Sequence, residues 1–258
     1  MIRRTLTRCL AIAAALTLAA LPARADLKAA QAAHSKLLTT YASARGVRYA
    51  AWRTNGDDLK RISEVVMIYR STDLKALDPH EREAVLINLY NTKILESVLL
   101  LNPSGSIRAL SKALRPNEIF HRKAVLLDGK PASLDELEKH LMNEFKDPRI
   151  HFALNSAVRS CPPLRGEPYV GNRIDDQLDD AARSFLATPG VVTIEKDHRT
   201  TVIHTSRLFD RYKDDFKSAG GTLGLLRKFG SDEVVEAASG KDVKVVYQPW
   251  NWSLNVAP

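Results

Sequence analysis

Asp147-Pro148-Arg149-Ile150-His151-Phe152-Ala153-Leu154-Asn155-Ser156-Ala157-Val158-Arg159-Ser160-Cys161-Pro162-Pro163-Leu164-Arg165 is the stretch on which the reading of this 258-residue chain turns. Side chains alternate between the two faces of a strand. Read that way, Ile150, Phe152 and Leu154 form an apolar face for a core. His151, Ala153 and Asn155 share the opposite face. The pattern predicts a strand over 150–155, introduced by Asp147-Pro148, and then a turn of small residues over 156–160 that delivers Cys161. Pro162-Pro163 is compatible with the start of a helix or turn, where free N–H groups and the helix dipole lower a thiol pKa.

Cys161 stands out for a second reason. The N-terminus carries Arg3, Arg4 and Arg8, the apolar run Cys9–Leu21, and Pro22-Ala23-Arg24-Ala25. A basic region, an apolar core too short to span a membrane and an A-x-A site read as a secretory signal over 1–25. Cleavage before Asp26 would remove Cys9 and leave Cys161 alone in an oxidising compartment. A solitary thiol there is an inert core residue, an intermolecular pairing site or a nucleophile. The formal charge of +8 drops to +4 once Arg3, Arg4, Arg8 and Arg24 are gone, and no basic run with interleaved aromatics follows. The expected partners therefore include neither nucleic acid nor, after cleavage, a membrane. The expected location is periplasmic or secreted.

A thiol enzyme needs a base within reach of sulfur and a third group to orient that base. His151 is the candidate base. Asn155 fails as the third group, because four residues along a strand put it about 13 Å away at roughly 3.3 Å per residue. It fits better as an oxyanion or substrate contact beside Cys161, with Arg165 as a second substrate contact. Glu138 is the better orienter. Stepping roughly 100° per residue from Leu134 puts Glu138 at about 40°, within the apolar stripe of Leu137, Leu141 and Phe145. Buried carboxylates are rare unless paired. The competing reading pairs Glu138 with Arg149 or Arg165 and makes His151 a structural core histidine. The histidines have no metal-ligand spacing, and Asp175, Asp176, Asp179 and Asp180 read as first-turn acids of a helix. No metal and no cofactor is expected, since Gly-rich phosphate loops are absent too.

Farther out, the first half is helical. Leu27–Ala42 is amphipathic, Asp57 and Asp58 can cap a helix over Leu59–Tyr69, and Asp78-Pro79-His80-Glu81 opens a long helix ending at Asn102-Pro103. The middle of that helix is apolar nearly all round, so Asn88 and Asn91 become buried amides in need of partners. The second half alternates. It holds a strand over Ala124–Asp128, a capping box at Ser133-Leu-Asp-Glu136, and a helix over Ile174–Leu186. A hairpin (Val191–Glu195 with Thr200–His204), helices near Ser206–Lys217 and Thr222–Phe229, and a last strand over Val243–Gln248 complete it. The order predicts an α+β fold in one domain over 26–258, a helical half packed on a small mixed or antiparallel sheet.

The run Asp147–Asn155, Ser160-Cys-Pro-Pro-Leu-Arg165 and Tyr169 resembles the domain-of-unknown-function 547 family. Ile87-Asn-Leu-Tyr-Asn91, Ser133–Glu138, Asp215-Phe216 and Trp252-Ser-Leu-Asn255 extend the resemblance. It implies a family of exported bacterial proteins and of plant proteins with added coiled-coil regions. It also implies a distant likeness to papain- and transglutaminase-like folds, circularly permuted because His precedes Cys. Family members often carry His directly after the residue matching Glu138. Here that position is Lys139, which leaves His151 as base. Two functions stand: an exported thiol enzyme acting on an amide or acyl bond, and a non-catalytic periplasmic module binding a peptide or small ligand.

Overall fold

The structure is a computed structural model and describes residues 25–107, 118–196 and 200–257. The signal-like segment therefore lies outside the described residues, apart from position 25.

Helix α1 (25–41) turns Leu27, Leu37, Leu38 and Tyr41 inward, and its buried His34 meets the Tyr69 hydroxyl. A short hairpin follows, β1 (Ala42–Ser43) with β2 (Gly46–Val47). Gly46 is required here. Its φ is +125°, and a Cβ would sit 2.2 Å from the Asn255 carbonyl oxygen. After α2 (Tyr49–Arg53), α3 (Gly56–Ser71) is capped by Asn55, whose side chain accepts from the Asp58 N–H. Asp57 and Asp58 lie in its first turn and complement the dipole; the cap is one turn earlier than the sequence suggested.

Helix α4 (Pro79–Leu101) starts as expected, with the Asp78 carboxylate accepting from the N–H groups of His80 and Glu81. By length and apolarity it could cross a membrane, but 83% of its most apolar window is buried inside the protein. It is the central core helix. Its two amides each donate and accept: Asn88 pairs with both backbone groups of Tyr169, and Asn91 with the Ala153 carbonyl and the Asn155 N–H.

After α5 (Glu118–His121), β3 (Val125–Leu127) and β4 (Lys130–Ala132) pair across Asp128-Gly129. Both turn residues have positive φ, 49° and 76°, as a tight primed turn needs. The capping box at Ser133 and Glu136 opens α6 (Leu134–Phe145).

The expected strand over 150–155 is a helical turn instead, α7 (Ile150–Ala153). Asp147 is the reason. Its carboxylate accepts from the Arg149 N–H, and the N–H groups of Ile150, His151 and Phe152 reach back to the carbonyls of Asp147, Pro148 and Arg149. The Asp-Pro pair thus does at 147–148 what it does at 78–79: it starts a helix. Within one turn all four residues are buried.

A 3-10 turn (Gly171–Arg173) and α8 (Ile174–Leu186) follow. Strands β5 (Val192–Lys196) and β6 (Thr201–Ser206) are antiparallel, and β7 (Val243–Gln248) lies parallel on the other side of β6. Between β6 and β7 run α9 (Leu208–Arg211), a 3-10 turn (Asp215–Ala219), α10 (Gly221–Phe229) and α11 (Asp232–Ala238). The fold is α+β, mainly helical with small sheets and a mixed three-stranded one.

Two apolar clusters form the core. The larger collects α1, α3, α4 and α6; the smaller joins the end of α8 to the sheet and α9–α11. Helix α7 serves both. Ile150, Ala153 and Leu154 belong to the first cluster, while Phe152 belongs to the second, against Phe185, Phe209 and Phe216. His151 sits at the seam.

Candidate active site

A cavity of about 260 Å³ opens at that seam, and Cys161, His151 and Glu138 all line it. Each arrives from a different element. Helix α6 presents Glu138 beside its apolar stripe, α7 presents His151, and the loop after α7 presents Cys161.

The loop is held from three sides by buried amides. Asn155 is 3% exposed. Its Nδ2 donates to the Pro162 carbonyl at 2.6 Å, and its Oδ1 accepts from the Ala157 N–H at 2.8 Å and from Asn255 Nδ2 at 3.3 Å. Asn255 Oδ1 in turn accepts from the Tyr49 hydroxyl at 2.8 Å. The C-terminal segment straps the loop as well, through the Arg159 N–H to the Ser253 carbonyl and the Asn255 N–H to the Ala157 carbonyl. Ala157 takes a φ of +60° within this frame.

Asn155 thus spends its polar groups on the scaffold and none on the cavity, which corrects its expected role as an oxyanion or substrate contact. Arg165 lies elsewhere too. It is bound by Asp180 and by Glu167 at 3.0 Å, and it lines a separate cavity. Arg149 is likewise engaged, with Asp147, Asp175 and Asp179. Neither arginine pairs with Glu138. Three of the four acids read as dipole partners in the first turns of α8 are therefore ion-pair partners.

The histidine is fixed by a residue the sequence reading quoted only for family likeness. His151 Nε2 lies 2.9 Å from Asp215 Oδ2, and Nδ1 lies 3.9 Å from Glu138 Oε1. A carboxylate only accepts, so Nε2 carries the ring proton and a neutral imidazole keeps its lone pair on Nδ1. Nδ1 is buried and has no hydrogen-bond partner. The Tyr212 ring stacks on the imidazole at 3.7 Å between centroids, with Phe216 edge-on at 5.5 Å. Asp215, not Glu138, is the group in hydrogen-bond contact with the ring.

Burial governs the ionisation of all three groups. It pushes the His151 pKa down, against the pull of Asp215, and so favours the neutral ring. It pushes the Glu138 carboxyl up, with the nearby Tyr212 hydroxyl and Arg211 opposing. It also pushes the Cys161 thiol up. The depressed thiol pKa expected from a helix start is corrected here, because 162–165 forms no helix and Cys161 is 9% exposed. What favours the thiolate is Ser156, whose hydroxyl lies 3.0 Å and whose N–H lies 3.4 Å from sulfur. No direct hydrogen bond joins Cys161 to His151, so a proton passing between them needs a bridging group in the cavity.

Aromatic and charged residues complete the wall, among them Tyr90, Trp250, Trp252, Arg207 and Arg211. The signal for Asp215 in the sequence was slight: an acid before a buried Phe, 64 residues from His151.

No curated protein and no solved structure matches the chain. Over residues 74–186, from the turn before α4 to the end of α8 and so including Glu138, His151 and Cys161, the chain matches the family described as "Protein of unknown function, DUF547".

Proposed function

We propose that this protein is an exported thiol-dependent enzyme acting on an amide or acyl bond, with Cys161 as nucleophile, His151 as base and Asp215 as its orienter. One observation carries the reading. A neutral histidine, anchored by a carboxylate through Nε2, leaves Nδ1 without a hydrogen-bond partner, and the residue lines the cavity that holds the thiol. These are the three parts a nucleophile, base and orienter require, with a bridging group needed between sulfur and the ring. Sulfur would attack the carbonyl carbon as its proton moves to Nδ1 through a water or the substrate itself. The S–C bond forms, the C–N or C–O bond breaks, and His151 returns the proton to the leaving group. Water then releases the acyl group by the reverse relay. Ser156 would hold the thiolate, and Glu138, whose carboxyl burial pushes up, lines the same cavity. Export rests on the pattern of Met1–Ala25, and the permuted papain-like relation on the chain order His151, Cys161, Asp215.

The burial of Cys161 and the lack of a direct contact with His151 favour a second reading, a binding module on the same cavity. Incubation with p-nitrophenyl acetate separates the two. The enzyme reading expects a burst of p-nitrophenol and an acetyl group on the Cys161 peptide, both lost in Cys161→Ala and His151→Ala. Folded protein with no adduct at Cys161 refutes it in favour of the binding module.

A further inference from the structure

Among the groups lining the cavity, most charges are already spent. Asp135 is bound by His121 at 2.6 Å, and Asp215 beneath the wall is bound by His151. Glu138 faces Tyr212 and is held toward its protonated form by burial. Arg207 and Arg211 are different. Arg149 and Arg165 are each held by two or more carboxylates, whereas Arg207 and Arg211 form no ion pair among the described residues. The Arg211 guanidinium leans on the Tyr212 ring at 5.3 Å, close enough for its charge to act on both His151 and Glu138. Asp210, the one acid left on this wall, does not pair with either. Trp250 and Trp252 line the same cavity, their rings 6.2 Å apart and edge to face. That cavity of about 260 Å³ is thus lined by Arg207, Arg211 and both indoles. That is room for one small group at the cavity's wall.

We infer that this cavity selects a small amide carrying its own carboxylate, which Arg207 and Arg211 bind while an apolar group packs on Trp250 and Trp252. For the bond that reacts, the inference rests on the thiol-enzyme reading. Guanidinium recognises a carboxylate through a planar fork of N–H donors, a match that a neutral amide cannot offer. Indole faces supply the apolar wall that usually surrounds such an anchor.

The test is calorimetric titration of the full chain with N-acetyl-L-phenylalanine and, separately, with its primary amide. The carboxylate should bind roughly ten- to hundredfold tighter, the scale of a charge-assisted hydrogen-bonded pair. Added salt should shrink that advantage. In the doubly substituted Arg207→Gln, Arg211→Gln protein the two compounds should bind alike. Arg211 also leans on Tyr212, so melting is read beside the parent's and affinities are compared on folded protein. Equal affinities in the parent, a preference surviving in the double variant, or no binding of either compound overturns the inference. The neutral p-nitrophenyl acetate keeps the two ideas apart. Acetyl-Cys161 without a carboxylate preference sinks the substrate class alone. A carboxylate preference without acetyl-Cys161 sinks the thiol-enzyme reading and leaves a carboxylate-binding site.

Discussion

Asp215→Asn is the perturbation that separates the two carboxylates near His151. The Asp215 side chain is 42% exposed, while that of His151 is 1% exposed, and the contact between them is 2.9 Å. A charge-assisted hydrogen bond contributes about 1.5–3 kcal/mol, and the solvent around Asp215 trims this to about 1–2 kcal/mol. If the imidazolium forms as sulfur reacts, that loss slows the reaction about five- to thirtyfold, at 1.4 kcal/mol per factor of ten. Glu138→Gln should do less. Its carboxyl stands 3.9 Å from Nδ1, beyond hydrogen-bond reach, and burial already favours its neutral form. The assay is the rate of iodoacetamide alkylation at Cys161, read by peptide mass on native protein across pH, beside His151→Ala. The order expected is His151→Ala slowest, then Asp215→Asn, with Glu138→Gln near the parent. Melting of Asp215→Asn should fall by about 2–8 °C, the equivalent of about 1–2 kcal/mol in a chain of this size, so the protein stays folded for the assay. A parental rate in Asp215→Asn together with a slowed Glu138→Gln would refute the assignment and return the orienting role to Glu138.

Asn155→Ala strands the Pro162 carbonyl, the Ala157 N–H and the Asn255 amide, so urea denaturation should show a loss of about 2–4 kcal/mol, at roughly 1 kcal/mol per bond; an unchanged midpoint would mean the loop holds itself. Phe152→Ala removes the ring that ties α7 to the second cluster and should cost about 3–5 kcal/mol in the same measurement. Glu83, on α4, is pushed up to about 7 by burial and by Asp147, with Arg149 opposing. A carboxyl raised in the folded state binds more protons there than in the unfolded chain, so stability should fall as pH rises from about 4.5 to 7 and then level off. Glu83→Gln should therefore gain about 2 kcal/mol at pH 8, trimmed for partial solvation, and nothing at pH 4. A flat difference between the two proteins across that range would show Glu83 to be solvated.

Local signals in the sequence were reliable where side chains cap or stripe a helix. The Asp78-Pro79 start of α4, the Ser133–Glu136 box, the full span of α8 and the place of Glu138 beside the apolar stripe of α6, half-buried rather than interior, were all legible. The need of Asn88 and Asn91 for partners was legible too, though not that Asn91 would reach the segment before Cys161. The Asp147-Pro148 turn was misread because alternating Ile150, Phe152 and Leu154 fit a strand as well as a turn buried on every side. Burial between two clusters erases the periodicity that tells the two apart. Helix α11 went unseen for a related reason: at Asp232–Ala238 it is too short to establish a period. Asp215 was illegible because its contact is made by tertiary packing across the seam, where no spacing rule applies.

Residues 253–257 touch three distant parts of the chain. They pair with Val47, with Ser106 and with the loop carrying Ala157–Arg159. The Tyr49–Asn255 contact alone joins positions 206 apart. Contacts that distant form late, since closing long loops costs entropy before any reward. The helices around α4 pack on one another without these residues, whereas the Cys161 loop is held by them. The thiol's frame is therefore complete only once residues 253–257 have paired with it. A chain cut short before Ser253 would keep much of its apolar core and lose the frame that aims its sulfur.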